Sequence, residues 1–228
     1  MESLRILTIE ETYELADAID SGNSKDVCEE VGDILLHLVF YARIAREKNE
    51  WDIAESINKL CEKLIHRHPH IYADVKVNGE EEVKANWEKL KLKEGKTSVL
   101  NGVPKSLPAV VKAYRIQEKA KQVKFEWENK EQVWEKVEEE LKELAAEVTT
   151  MNDRQKVEEE FGDVLFSLVN YARFIGVDHE AALEKTKKKF ISRFKLMEEM
   201  AKEKHLDLGE MTLAEMDLLW TETKKTFR

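Results

Sequence analysis

One stretch of this chain is written twice, and any fold has to accommodate both copies. EEVGDILLHLVFYAR, from Glu29 to Arg43, returns as EEEFGDVLFSLVNYAR, from Glu158 to Arg173. In each copy apolar residues recur at helical spacing: Val31, Ile34, Leu35, Leu38, Val39 and Ala42 in the first, Phe161, Val164, Leu165, Leu168, Val169 and Ala172 in the second. That pattern predicts an amphipathic helix with a wide apolar stripe, which each copy is expected to bury. At about 100° per residue, Glu160 and Asp163 project side by side on the flank of the stripe, as do Glu30 and Asp33. Two carboxylates at i, i+3 beside a core make half of a site for a hard cation, and a facing helix must bring the other half.

The duplication extends beyond the central helix, as expected of a repeated unit that later diverged. Glu10, Glu11 and Glu14 correspond to Glu139, Glu140 and Glu143; Lys63 and Arg67 to Lys189 and Arg193; Trp87 and Lys91 to Trp220 and Lys224. Helices are predicted over about 4–20, 24–46, 52–66 and 80–94, then 108–122, 130–149, 153–175, 178–204 and 212–226. Asn23 or Ser24 is placed to cap the second of these, and Pro69 stops the third after His68. Two glycines and two of the three prolines fall between Gly95 and Pro108. We therefore expect one domain over 1–94, a linker over 95–107 and a second domain over 108–228. With 37% charged and 42% apolar residues and few glycines, the composition fits an all-α protein with solvated outer faces.

Other function classes are disfavoured. The net charge of -10 argues against a nucleic-acid surface, although it leaves room for a local anion pocket. No apolar run approaches the ~18 residues of a membrane span, and MESLRILTIEE lacks the features of a signal peptide, so a cytoplasmic protein is expected. Cys28 and Cys61 form neither a disulfide framework nor a zinc motif.

If the 130–149 helix packs antiparallel to the 153–175 helix, Glu140 and Glu143 meet Glu160 and Asp163 at one edge of the bundle. Four oxygen donors without Cys or His suit Mg²⁺, with Mn²⁺ as the alternative. A di-iron site would show Glu-x-x-His, which is missing. Such a cation usually serves a substrate that brings its own phosphates. Lys189 and Arg193, one turn apart, can neutralise that charge, and Lys136 and Lys156 can add to the cradle. Trp220 with Lys224 suits a base or a phosphate. Together these residues read as a nucleotide polyphosphate site. Taken singly they read as solvated pairs or, for Trp220, as packing; duplication of the carboxylate pattern lifts it above that background. His66, His68 and His70 read as a turn, and Phe125 and Trp127 as packing between domains.

The chain resembles the MazG family of all-α nucleoside triphosphate pyrophosphohydrolases, whose signature is Glu-Glu-x-x-Glu followed by Glu-x-x-Asp on the next helix. Glu139-Glu140-Leu141-Lys142-Glu143 with Glu160-Phe161-Gly162-Asp163 matches it, as does Glu10-Glu11-Thr12-Tyr13-Glu14 with Glu30-Val31-Gly32-Asp33. RHPHIYADV, the SLPA segment, VKFEW and the terminal Trp220 extend the likeness over nearly the whole chain. It implies two tandem helical-bundle units in an intertwined homodimer. It also implies Mg²⁺-dependent hydrolysis of NTP or dNTP to the monophosphate and pyrophosphate, in pool housecleaning or stress-linked regulation. By the same resemblance, Glu140, Glu143, Glu160 and Asp163 hold the metal, and Glu139 or Glu159 takes the proton of the attacking water. Nucleotide contacts fall to Lys136, Glu139, Glu140, Lys156, Glu159, Glu160, Asp163, Lys189, Arg193 and Trp220, with Lys224 added by its position.

Three departures from the family pattern stand out. Family members usually carry a Gly-Cys-Pro-Trp-Asp segment ahead of the first Glu-Glu-x-x-Glu, so the first unit is expected to be truncated at its start. Leu7 and Asp26 stand where the second unit has Lys136 and Lys156, so Glu11, Glu14, Glu30 and Asp33 are expected to form the weaker metal site. In VKFEW, Lys124 occupies a turn position where glycine is usual. The rival reading is a dimeric helical module that binds nucleotide or a regulatory protein without turnover.

Overall fold

The computed structural model describes residues 1–72, 79, 83, 98–150 and 153–226. Every regular element among the described residues is a helix, as the periodicity predicts. The chain divides into two compact units, Met1–Lys91 and Leu92–Arg228.

The first unit opens with α1 (Glu2–Ser21) and α2 (Ser24–Glu47). Gly22, at φ 72°, closes α1 in the left-handed conformation that glycine adopts without steric cost, and its N–H bonds Ile19 O. The Asn23 side chain then accepts from the Lys25 N–H at 3.1 Å and starts α2. Two residues thus reverse the chain, and α1 packs along α2, burying Ala18 against a face that holds His37, Ala42 and Ala45. Asp52 caps α3 (Ile53–Arg67) by accepting from the Glu55 N–H at 2.9 Å. The helix stops at His68, ahead of the short α4 (Pro69–Tyr72), so the histidine cluster does mark a turn. The expected helix over 80–94, with Trp87 and Lys91, lies outside the described residues apart from Val83.

The second unit contains α5 (Ala109–Gln122), α6 (Lys130–Thr150), α7 (Arg154–Phe174), α8 (His179–Glu203) and α9 (Leu213–Thr226). Asp153 and Asp178 cap α7 and α8 through their side chains. Helices α6 and α7 form a hairpin like that of α1 and α2, and bury Val133, Val137, Val164 and Val169. Helix α5 crosses onto α7, where Gln117 Nε2 donates to the Phe166 carbonyl at 2.9 Å. Helices α8 and α9 pair around Met197, Ala201 and Leu219. No helix among the described residues is long and apolar enough to cross a membrane.

The duplicated stripe is only partly buried. Val164 and Val169 are inside, but Phe161, Leu165 and Leu168 remain 54%, 43% and 40% exposed. Val31, Leu35, Leu38 and Val39 are exposed at the corresponding face of α2. The stripe is wider than one antiparallel partner can cover, because a two-helix contact closes a single seam. The expectation that each copy buries its whole stripe therefore fails for the chain taken singly.

Val137 is fully buried at that seam. Val137→Ala should lower unfolding stability by roughly 1–3 kcal/mol through lost apolar contact and a residual cavity. A chemical-denaturation midpoint equal to that of the unmodified protein would mean the α6–α7 seam is not packed this way.

Candidate active site

The seam between α6 and α7 fixes which residues meet at its edge. Lys136, Glu139, Glu140 and Glu143 lie along one flank of α6, and Glu160 and Asp163 along the facing flank of α7. Carboxylate oxygens of Glu140, Glu143 and Glu160 lie within 4.8 Å of one another. Asp163 raises the pKa of Glu160 by its charge, and lines a cavity together with Glu140. Glu11, Glu14 and Glu30 of the first unit meet within the same 4.8 Å, and Asp33 acts on both Glu11 and Glu30. In each unit three of the four expected carboxylates meet, and the aspartate acts on the group by its charge.

Like charges held this close disfavour ionisation. Partial burial, then the charges of Glu143, Asp163, Glu140 and Glu147, push the Glu160 carboxyl above the ordinary carboxylate range. Glu30 is raised in the same way, by burial and then by Glu14, Glu11, Asp33 and Glu29. Lys136 offsets part of this in the second unit. Its ammonium donates to Glu140 at 2.7 Å and to Glu139 at 2.9 Å, and these two hydrogen bonds raise its own pKa well above the usual lysine value. Leu7 offers no such charge to the first cluster, where His37 alone draws Glu11 back toward its ordinary value.

Among the described residues, Glu160 Oε2 and Glu30 Oε2 are buried and have no hydrogen-bond partner. A solvent-shielded carboxylate oxygen without a donor, surrounded by further carboxylates, fits a hard divalent cation.

The remaining predicted residues are dispersed. Lys156 is exposed on the first turns of α7, and exposed Glu159 accepts from Gln155 Nε2 at 3.0 Å. Lys189, Arg193, Trp220 and Lys224 all lie on the α8–α9 pair. Arg193 is half-buried, with its Nε unpartnered among the described residues, whereas Lys189 and Lys224 are exposed. Trp220 packs on the α8–α9 core, its ring tilted against Phe190 at 5.2 Å. Among the described residues no hydrogen bond or ion pair joins this set to the carboxylates.

A cavity of about 650 Å³ opens beside the second cluster. Lys136, Glu140 and Asp163 form one side; Ile116, Phe125, Trp127 and Phe166 supply apolar wall. Phe125 and Trp127, expected as packing between domains, instead line this cavity within the second unit, and Phe125 is 82% exposed. Lys124 holds the turn before them at φ 65°, the left-handed region that explains a usual glycine there. Deeper in the cavity, Arg173 is held by Glu126 at 2.7 Å, by Asn170 at 2.7 Å and by Glu118 at 3.5 Å. Burial works to lower the Arg173 pKa, and the two carboxylates together outweigh it. Gln117, Glu126, Ser167, Asn170 and Arg173 escaped the sequence reading. Glu126 fell within VKFEW, and Ser167, Asn170 and Arg173 within the duplicated stretch, but none was given a role there.

The sequence profile of the MazG nucleotide pyrophosphohydrolase domain matches residues 1–72 and 128–197, once over each hairpin. The chain is 45% identical over 226 residues to the nucleoside triphosphate pyrophosphohydrolase/pyrophosphatase MazG of Thermotoga maritima, covering 98% of this chain and 86% of that protein. It is 38% identical over 223 residues to the nucleoside triphosphate pyrophosphohydrolase of Escherichia coli K12, covering 96% and 85%. An uncharacterised Bacillus subtilis protein, YabN, is 45% identical over 230 residues, which span all of this chain and 47% of that one.

The raised carboxyl of Glu160 gives a signed expectation. Its ionised form is disfavoured in the fold, so the destabilisation is fully present above the raised pKa and vanishes below the ordinary value of 4.5. In EDTA at neutral pH, Glu160→Gln should melt at a higher temperature than the unmodified protein, and that advantage should close as pH falls toward 4. Identical melting at neutral pH would show that the carboxylates do not repel one another in the fold.

Proposed function

The chain belongs to the MazG nucleotide pyrophosphohydrolase family, and from that premise we propose that it hydrolyses nucleoside triphosphates to monophosphate and pyrophosphate in its second unit. The observation that carries this reading is the convergence of Glu140, Glu143 and Glu160, with Lys136 bonded to Glu140 and with Lys136, Glu140 and Asp163 lining a cavity. Glu140, Glu143, Glu160 and Asp163 would hold Mg²⁺, with Mn²⁺ as the alternative. When bound there, the ion supplies charge neutralisation at the reacting phosphate and makes water more acidic at neutral pH.

The chain's own groups do the rest. Water attacks the α-phosphorus, the bond to the bridging oxygen of the β-phosphate breaks, and pyrophosphate leaves. Glu139 or Glu159, both exposed, accepts the proton released by the water. Lys136 offsets phosphate charge when its carboxylate partners turn to the cation. We assign Lys156, Lys189, Arg193 and Lys224 to the triphosphate, and Trp220 to the edge of that site. The nucleoside end enters the cavity, whose aromatic and aliphatic wall suits a planar base. The first unit has Leu7 and Asp26 in place of two of these cations, so its cluster would take a cation more weakly and turn over little substrate.

A second copy of the chain would cover the apolar faces left open on α7 and α8, where Phe161, Leu165, Phe190 and Ile191 are exposed. A homodimer accounts for that area, since contiguous apolar surface of this kind marks an interface.

Two measurements test this reading. Product analysis with Mg²⁺ should show monophosphate and pyrophosphate from NTPs, lost on the order of a thousandfold in Glu160→Ala and retained in Glu30→Ala. Inorganic phosphate as the direct product would overturn attack at the α-phosphorus, and equal losses would overturn assignment to the second unit. Light scattering should give twice the 26.6 kDa chain mass, shifting toward monomer in Phe161→Asp. A monomer at micromolar concentration would overturn the dimer.

A further inference from the structure

An ammonium group sits on one of the clustered carboxylates of the second unit. Lys136 Nζ donates to Glu140 Oε1 at 2.7 Å and to Glu139 Oε1 at 2.9 Å, both one turn along its own helix. Glu140 is also one of the three side chains whose carboxylate oxygens meet within 4.8 Å. One carboxyl group therefore faces two cations, the lysine bonded to it and the divalent ion that the cluster suits. The Glu140 side chain is 9% exposed and that of Lys136 35%, so their interaction is screened less than that of a surface pair.

A lysine bonded to a metal-binding carboxylate can act with either sign. As an outer support it holds the carboxylate in place and strengthens metal binding. As a rival it weakens metal binding, because it occupies a lone pair and repels a second positive charge a few ångströms away. The geometry favours rivalry. A support aims one fixed donor at one oxygen, whereas Lys136 divides its ammonium between two glutamates and so follows negative charge. Lysine is a point charge on a flexible four-carbon stem, and this one lines the cavity with Glu140 and Asp163. It can leave Glu140 by rotation about its own stem, with no movement of α6.

We propose that Lys136 is a movable countercharge that couples metal binding to substrate binding: it occupies Glu140 until that carboxylate is given to a divalent ion, and then turns to the triphosphate. This deepens, and rests on, the hydrolytic reading above. The same turn releases Glu139 Oε1, on one of the two side chains assigned to the proton of the attacking water. Triphosphate draws the ammonium away from Glu140 and so favours the ion; the ion displaces the ammonium and so favours the triphosphate. Coupling of this kind is reciprocal.

The test is Mn²⁺ binding to the nucleotide-free full chain, read from the electron paramagnetic resonance signal of free Mn²⁺, with Glu30→Ala present throughout to weaken the first cluster. Adding Lys136→Met should tighten Mn²⁺ binding about tenfold, through loss of one nearby like charge. Lys136→Arg keeps the charge and should leave Mn²⁺ binding as it was. In turnover with Mg²⁺, read as pyrophosphate released, Lys136→Met should raise the KM for triphosphate about tenfold. One substitution then moves two affinities in opposite directions, which a general loss of structure does not do. Unchanged or weaker Mn²⁺ binding in Lys136→Met, with pyrophosphate release intact in the unmodified protein, would overturn the inference and leave the hydrolytic reading standing. Equal tightening in Lys136→Arg would overturn charge as the cause, and tighter Mn²⁺ binding with an unchanged KM would overturn the turn to substrate. Absence of pyrophosphate from every nucleotide would sink the hydrolytic reading and the coupling with it.

Discussion

Helices α6 and α7 are held together by valines at one seam, and that seam forces like charges to meet. Val133, Val137, Val164 and Val169 set how closely the two helices approach. Once they do, carboxylate oxygens of Glu140, Glu143 and Glu160 come within 4.8 Å of one another. The same seam between α1 and α2 has the same consequence for Glu11, Glu14 and Glu30. A fold selected for stability alone would place lysines opposite these glutamates. Here the apolar contact offsets a repulsion that only a cation or a proton relieves, which is the usual relation between a functional site and its scaffold.

The two hairpins share this constraint and differ in what surrounds it. In the first unit, Thr8 Oγ1 donates to Leu4 O and lies within hydrogen-bond distance of His37 Nδ1 and Tyr41 OH, so a polar network occupies the turn below the carboxylates. Val137, Ser167 and Tyr171 stand at the corresponding positions of the second unit, where Trp134 packs on Tyr171 at 4.9 Å. Arg43 lies in the open, paired with Glu47 on its own helix, whereas its counterpart Arg173 is enclosed by residues of α5 and of the loop after it. A surface pair such as Arg43–Glu47 contributes little. The Arg173 network ties the Phe125–Trp127 segment to α7, and so shapes the cavity beside the second cluster.

Features carried by a single helix were legible in the sequence. Helix ends fell within a residue or two of expectation wherever a cap announced them, as at Gly22, Asn23, Asp52, Asp153 and Asp178. The carboxylate pairs were legible because i, i+3 spacing decides their facing without reference to anything distant. Features assembled from several segments were not. The cavity draws on Leu100, Gln117, Phe125, Val133 and Arg173, and no periodicity links positions so far apart. Exposure of Phe161 and Leu165 was equally hidden, because a stripe records that something covers it and not which chain does so. Trp220 shows the same limit: its spacing fits a ligand platform, and its packing on Met197, Ala201 and Leu219 depends on how α8 meets α9.

The left-handed residue at Lys124 ties these levels together. A β-carbon at φ 65° carries strain that glycine avoids, so a lysine there is held by the structure on either side of the turn. On one side is the end of α5, where Phe125 N–H donates to Ala120 O and Lys124 N–H to Lys121 O. On the other is Glu126, clamped to Arg173. A buried ion pair of this kind seldom adds net stability, because desolvation consumes most of its Coulombic gain, but it fixes geometry sharply. The strained turn and the clamp therefore act on one short segment from both ends, and that segment supplies Phe125, Glu126 and Trp127 to the cavity. The grouped carboxylates are common to both hairpins. The enclosure built around Arg173, through Glu118, Glu126 and Asn170, is what the second hairpin adds to them.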